Sequence, residues 1–289
     1  MPGEITDPRP VFVAMFAAAR RYLLSEGQAL EARAPVATNP KGEATRGFDA
    51  RAEEIALAVA QQGLGSFRAF SEEAGEIQIG EQPQWTLVID PCDGSNNFKR
   101  GIRSVGFAVA ALPVGAPLDP DLVEYAVCGD IFTGAVYSAA RGQGATLDGV
   151  PCVASRMSEL RYAMLGANIG RERSPKADVE DAATQRIPLD QVWRLLERAA
   201  TVRRMGATVL DLCYVAQGAY DGYVDLRDRL TPENFLAPAL VLREAGARLT
   251  DGYGHPLGTV EFTKPYSVLA AGNDALLAAL LDALAHNGI

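Results

Sequence analysis

Hydrophobic positions fall first at helical spacing. Val11, Met15, Ala18, Ala19, Tyr22 and Leu23 recur every three or four residues, which predicts a long first helix over residues 11–34. Its apolar stripe suits a core or a contact between two copies of the chain. Residues 34–47 are rich in Pro, Gly, Thr and Asn and read as a loop. A helical pattern resumes over 48–62, with Asp49 in its first turn. Short apolar runs then predict strands at 67–70, 85–89, 105–112, 124–130 and 135–139. No long helical pattern intervenes after Gly101, so these strands are expected to pair antiparallel. From about Ser155 the rhythm changes. Strand patterns at 163–167, 222–226 and 266–272 alternate with helical ones at 189–200, 207–218, 235–245 and 274–285. That alternation marks an α/β half. The expected organisation is an N-terminal α+β half, 1–154, and a C-terminal α/β half, 155–289. The polar stretch 170–187 reads as a surface excursion.

One segment carries chemistry that its residues suggest directly. The apolar run Trp85-Thr86-Leu87-Val88-Ile89 delivers Asp90 and Asp93 to a turn made by Pro91 and Gly94, and Ser95 and Asn96 follow where a helix can begin. Two carboxylates on a tight turn suit a hard divalent cation, because magnesium takes oxygen ligands in near-octahedral geometry. Free backbone N–H groups at a helix start suit a phosphate. Asp, Pro, Gly, Ser and Asn are also ordinary turn residues. That accounts for each singly, but poorly for two acids beside a buried-type strand.

Composition narrows the classes. The chain has 289 residues, 48% hydrophobic and 22% charged, ordinary for a globular protein with a substantial core. A net charge of −9 without a basic run argues against nucleic acid as a partner, and fits anionic membranes poorly. Cys92, Cys128, Cys152 and Cys213 form no Cys-x-x-Cys pair, and only His255 and His286 are available beside them, which argues against zinc. No leader-like segment opens the chain and no run reaches the length of a membrane span, so the expected compartment is the cytoplasm.

The run Asp90-Pro91-Cys92-Asp93-Gly94-Ser95-Asn96-Asn97-Phe98 resembles a signature of the inositol monophosphatase family. A second stretch, Gly206 to Ala216 with Gly218, Asp221-Gly222-Tyr223 and Leu240 to Gly246, resembles another, and Gly142-Gln143-Gly144-Ala145 with Asp148-Gly149 a weaker one. The likeness runs from about Asp49 to about Gly252. It implies a layered αβαβα sandwich, with a mostly antiparallel N-terminal sheet and a smaller mixed C-terminal one. It also implies a Mg2+-dependent phosphomonoesterase, with Mn2+ as the other candidate cofactor. The substrate would be a small phosphorylated metabolite (polyol, sugar or nucleotide phosphate), and the chain would be a homodimer.

The resemblance assigns roles residue by residue. Glu72, Asp90, Asp93 and the Cys92 carbonyl would hold metal, Asp90 bridging two ions. Asp49 and Ser95 would orient and deprotonate the attacking water. The Gly94 and Ser95 amides would bind phosphate, with Gly206 and Ala207 in the substrate site. Asp225 would meet substrate hydroxyls, and Arg227 a second anionic group. Plainer readings stand beside these: Glu72 and Glu73 as solvated turn acids, Asp49 as an acid favoured by the helix dipole, Asp225 and Arg227 as strand-end charges. One position departs from the family pattern. Asn234, in Pro232-Glu233-Asn234-Phe235, stands where an Asp would ligate the second metal. Asn offers a carbonyl oxygen without charge, so magnesium would be held more weakly. The neighbouring Glu233 is a longer substitute, about 100° away round a helix. The alternative to a phosphomonoesterase is therefore a phosphatase-like protein with an impaired second metal site, which binds a phosphoester or runs another reaction.

Overall fold

The computed structural model describes residues 6–42, 44–169 and 189–285. The predicted excursion at 170–187 lies outside them. The first helix, α1 (Arg9–Leu24), stops ten residues before the predicted end. The Ser25 hydroxyl donates back to the Arg21 carbonyl at 2.7 Å, and the chain goes on as short 3-10 turns at Glu26–Gln28 and Glu31–Arg33. The expected loop at 34–47 contains an antiparallel hairpin, β1 (Pro35–Thr38) with β2 (Ala44–Arg46). All four β1 residues are exposed, so no apolar alternation announced it. Helix α2 (Gly47–Leu64) follows.

Next come β3 (Phe67–Ser71), β4 (Gly75–Ile79), β5 (Trp85–Asp93), α3 (Ser95–Arg100), β6 (Gly106–Pro113), β7 (Tyr125–Asp130), β8 (Val136–Ala140), β9 (Ala145–Leu147) and β10 (Val150–Pro151). They build an eight-stranded sheet in the order β10-β9-β8-β7-β6-β5-β3-β4. All neighbours run antiparallel except β3 with β5. The remaining elements are β11 (Met164–Asn168), α4 (Leu189–Glu197), β12 (Thr201–Arg203), α5 (Thr208–Ala216), β13 (Gly222–Leu230), α6 (Pro232–Glu244), β14 (Arg248–Asp251), β15 (Tyr266–Ala271) and α7 (Asp274–Ala285). The second sheet, β12-β11-β13-β15-β14, is mixed: β11 is parallel to both its neighbours, β15 antiparallel to both of its own.

Three apolar cores hold five layers together, the central one enclosing α5 and α6 between the two sheets. Phe12 and Met15 of α1 and Phe48 of α2 pack with Leu87, Ile89 and Phe107 on one face of the large sheet. Val88 and Ala108 face the other way, into a central core with Val209 of α5, Leu236 and Leu240 of α6, and Val268 of the second sheet. Leu195 of α4 and Leu280 of α7 cover the far face over Val224 and Leu269. Burial of each large side chain contributes roughly 1.5–3 kcal/mol. Strand β5 is buried on both faces, so it reads as a continuous apolar run rather than an alternating one. Its last residues break register: Asp90 pairs with Ala108 and Asp93 with Gly106, so three steps on β5 span two on β6. In a regular strand, residues three apart face opposite sides. The extra residue is a β-bulge, and it brings Asp90 and Asp93 to the same face, toward α5 and α6.

Candidate active site

Asp90 and Asp93 are buried, and each is tied to a helix start. The Asp93 Oδ2 accepts the Val209 N–H of α5 at 2.7 Å. The Asp90 Oδ2 accepts the Asn234 Nδ2–H of α6 at 3.0 Å, and Oδ1 accepts the Cys92 N–H at 3.0 Å. Helix N-termini carry positive partial charge, which favours carboxylates there. Burial still pushes both acids well above the usual carboxylate range. For Asp90 the Asp93 charge adds to this, and Glu233 after it; for Asp93 the Val209 bond opposes it, while Asp211 and Glu233 add.

The α2 face supplies the next groups. Ser95 Oγ lies 2.9 Å from Asp49 Oδ1 and 3.1 Å from the Cys92 carbonyl. A hydroxyl has one proton, so Ser95 donates to one of them at a time. Asp49 is raised to about 8, chiefly by burial; the Ser95 bond opposes this and the Glu73 charge adds to it. One turn along α2, Glu53 accepts the Glu73 N–H at 2.9 Å and the Ala74 N–H at 2.8 Å. It thereby holds the turn that carries Glu72. The sequence reading missed Glu53. Its signal was the spacing of four from Asp49, which places two acids on one helix face with the buried Ala52 and Ala56. Glu72 is partly exposed, yet the protein packed around it and then Asp90 hold its carboxyl well above the ordinary range, against the pull of Lys41.

Asn234 faces Asp90 with nitrogen, not oxygen. Its Oδ1 accepts the Thr231 N–H at 3.1 Å, half of a capping box at the start of α6. The neighbouring Glu233 is fully buried and meets the Lys41 ammonium and the Thr231 hydroxyl through Oε1. Lys41 also donates to Thr231 Oγ1 at 2.9 Å.

Backbone conformation fixes the turn itself. Gly94 has φ +97°, and a Cβ there would stand 3.0 Å from the Ser104 carbonyl and 3.3 Å from that of Gly206. Only glycine takes that conformation at that clearance. The Asn97 amide, to which the sequence reading gave no role, spans the same gap, with Nδ2 2.7 Å from the Met205 carbonyl and 2.9 Å from that of Ser104. Gly206 and the buried Ala207 are thereby held at the mouth of α5, beside α3. Helix geometry leaves the first amides of α3 without intrahelical partners. Asp225 and Arg227 join less directly. Arg227 meets the buried Asp225 with Nε and Nη2, at 2.9 and 2.7 Å. The Tyr223 hydroxyl links Asp225, at 3.4 Å, to Thr208 Oγ1, at 3.1 Å, one residue from the amide that binds Asp93.

Among the described residues, no three His, Cys, Asp or Glu side chains are grouped closely enough to hold a metal ion as they stand. The donor set fits a hard cation all the same. It is made of carboxylates whose pKa is raised first by burial and then by one another's charge, and among the described residues Glu233 Oε2 is buried without a hydrogen-bond partner.

Five layers built around two sheets, with acids gathered at a bulged strand end between two helix starts, define a protein of the layered α/β sandwich class. The chain belongs to the inositol monophosphatase family, whose model matches residues 13–287. It is 32% identical over 239 residues to a fructose-1,6-bisphosphatase/inositol-1-monophosphatase of Methanothermobacter thermautotrophicus, covering 80% of each chain. It is 30% identical over 234 residues to the Nus factor SuhB of Pseudomonas aeruginosa, covering 81% of this chain and 79% of that one. The crystal structure of the extragenic suppressor protein suhB from Bartonella henselae superposes with a TM-score of 0.78 at 26% identity, over 97% of this chain and 99% of that one. No helix among the described residues is long and apolar enough to cross a membrane.

Proposed function

We propose that the chain is a Mg2+-dependent phosphomonoesterase that hydrolyses a small polyol, sugar or nucleotide phosphate. The observation that carries this reading is the Ser95 hydroxyl, 2.9 Å from the buried Asp49 and beside the Asp90–Asp93 bulge. Elements far apart in sequence meet there, in an arrangement that a purely structural turn does not require. Glu72, Asp90, Asp93 and the Cys92 carbonyl would hold magnesium or manganese. The cation would supply charge for the phosphoryl oxygens and acidify water. Asp49 and Ser95 would orient the attacking water and take its proton, which would end on Asp49. The amides of Gly94 and Ser95 bind the phosphate, with Gly206 and Ala207 on the opposite wall. The Asp225–Arg227 pair faces the rest of the substrate.

The test is release of inorganic phosphate from a panel of polyol, sugar and nucleotide phosphates, with Mg2+, Mn2+ or chelator. Metal-dependent release that disappears in Asp90→Asn is the expected result. Asp90→Asn with unchanged metal affinity by calorimetry would remove this turn from the metal site.

The orientation of Asn234 supports a second reading, a phosphoester-binding protein with an impaired second metal site. A neutral N–H donor faces Asp90 where the family resemblance calls for a carboxylate. Asn234→Asp is expected to lower the Mg2+ needed for half-maximal release by about tenfold, the equivalent of about 1.4 kcal/mol. A panel that stays silent while ligand still binds with metal would favour the second reading. Loss of a native activity in Asn234→Asp would instead make Asn234 an adaptation to a different substrate.

A further inference from the structure

The roles above leave Lys41 and Glu233 unused. Lys41 lies between β1 and β2, and Glu233 lies in the first turn of α6, 192 residues on. Their side chains are 10% and 0% exposed. The ammonium is held at three points: the Glu233 carboxylate, the Thr231 hydroxyl at 2.9 Å, and the face of Phe262 with the ring centroid at 5.2 Å. Its charge reaches Glu72 and Asp90, two of the proposed metal ligands. Glu233 in turn acts on Glu72, Asp90 and Asp93, and its Oε2 has no hydrogen-bond partner among the described residues.

We propose that the Lys41 ammonium is a built-in cation of the metal site, which takes up the charge of Glu233 and screens Glu72 and Asp90, so that the chain holds fewer or weaker divalent ions than its carboxylates would otherwise bind. The inference rests on the phosphatase reading only in taking Glu72, Asp90 and Asp93 as ligands. Like charges a few ångströms apart in a buried site repel strongly, so an ammonium and a second divalent ion compete for the same acids. The Asn234 amide works in the same direction, since its N–H occupies an Asp90 oxygen. With the ammonium gone, Glu233 is a buried carboxylate without a counter-charge, which is costly unless a cation joins it. Glu233 then becomes a metal ligand.

The test is Mn2+ titration of metal-free protein without substrate, read by calorimetry and by the spin-resonance signal of free Mn2+. Lys41→Met is expected to bind one further Mn2+ per chain, or the same number about tenfold more tightly. Glu233→Gln is expected to bind about tenfold more weakly, because the released ammonium turns onto Glu72 and Asp90. The double variant, with both charges gone, is expected to return to within about threefold of the wild type. Opposite signs in the two single variants would not come from a pair that only braces the fold. If all variants bind like the wild type, or all are weakened alike, the proposal is overturned. Should Lys41→Met fail to fold, Glu233→Gln and the double variant decide. Asp90→Asn separates the two levels of the argument. Mn2+ binding that needs Asp90 but ignores Lys41 and Glu233 sinks this inference alone. No Mn2+ bound by any of the proteins sinks the metal reading with it.

Discussion

At the scale of single residues, the Ser95 hydroxyl and the buried Asp49 carboxyl meet at 2.9 Å. If both orient one water, Ser95→Ala and Asp49→Asn should each lower turnover by about 10²–10⁴, and the double variant should be little worse than the poorer single one. Independent, multiplying losses would mean that the two serve separate steps. Asp49 also sets a pH dependence. Burial holds its carboxyl up to about 8, so below that pH the group is protonated and cannot accept a proton. At low Mg2+, kcat/KM should therefore rise with pH through about 8, and the rise should be missing in Asp49→Asn. A bound cation favours the ionised form, so added Mg2+ should move the rise to lower pH. A profile that falls over this range would take Asp49 out of the role of base.

At the scale of elements, two local features aim the side chains. The bulge in β5 sets Asp90 and Asp93 on one face. The four-residue spacing on α2 puts Asp49 and Glu53 on another, one directed at Ser95 and one at the turn after β3. Glu53→Gln keeps the shape but replaces one accepting oxygen with a donor against the Glu73 or Ala74 N–H. The expected cost is about 1–3 kcal/mol of unfolding free energy in urea, the usual penalty of a buried unpaired group. The Mg2+ needed for half-maximal activity should rise with it, since Glu72 rides on that turn. Lost stability with an unchanged Mg2+ requirement would show that the turn does not position a ligand. The hairpin of β1 and β2 matters for the same reason: it carries Lys41 from what read as a loop to the start of α6.

Across the whole molecule, the buried acids tie stability to pH. Asp49 and Asp211 are both raised to about 8; for Asp211, burial leads and the Asp225 charge adds to it. Among the described residues, both Asp211 oxygens are buried without hydrogen-bond partners. A carboxyl whose folded pKa lies above its unfolded value near 3.8 holds its proton in the native state while the unfolded chain has released it. The unfolded state then binds fewer protons, so stability falls as pH rises from about 4 to about 8 and levels off above. Chelator-treated protein should accordingly show a lower Tm at pH 8 than at pH 5, and Asp211→Asn should reduce the difference. Magnesium should raise Tm more at pH 8, where its proposed ligands are ionised. A Tm that climbs over this range without metal would contradict the reading of these acids as protonated and buried.

The run from Trp85 to Phe98 made the acid turn legible, and spacing with flanking Gly and Pro made most helices and strands so, because both depend on local preferences of neighbouring residues. The strongest apolar runs, at β5 and β6, were the easiest to place. Short or exposed elements such as β1, β4, β10 and β14 bury too little for a pattern to show. The family resemblance, and with it the layered architecture, rested on motifs rather than on periodicity. Tertiary structure decided what no local pattern encodes: the shared face of Asp90 and Asp93, which needs the β6 register; the bond of Asp49 to Ser95 across 46 residues; the outward turn of the Asn234 nitrogen, set by Thr231; and the meeting of Lys41 with Glu233. Each depends on groups far apart in sequence, brought together only when apolar faces of different elements pack. The physical reason is that side-chain direction follows from register and packing, whereas residue type alone states which chemistry is available.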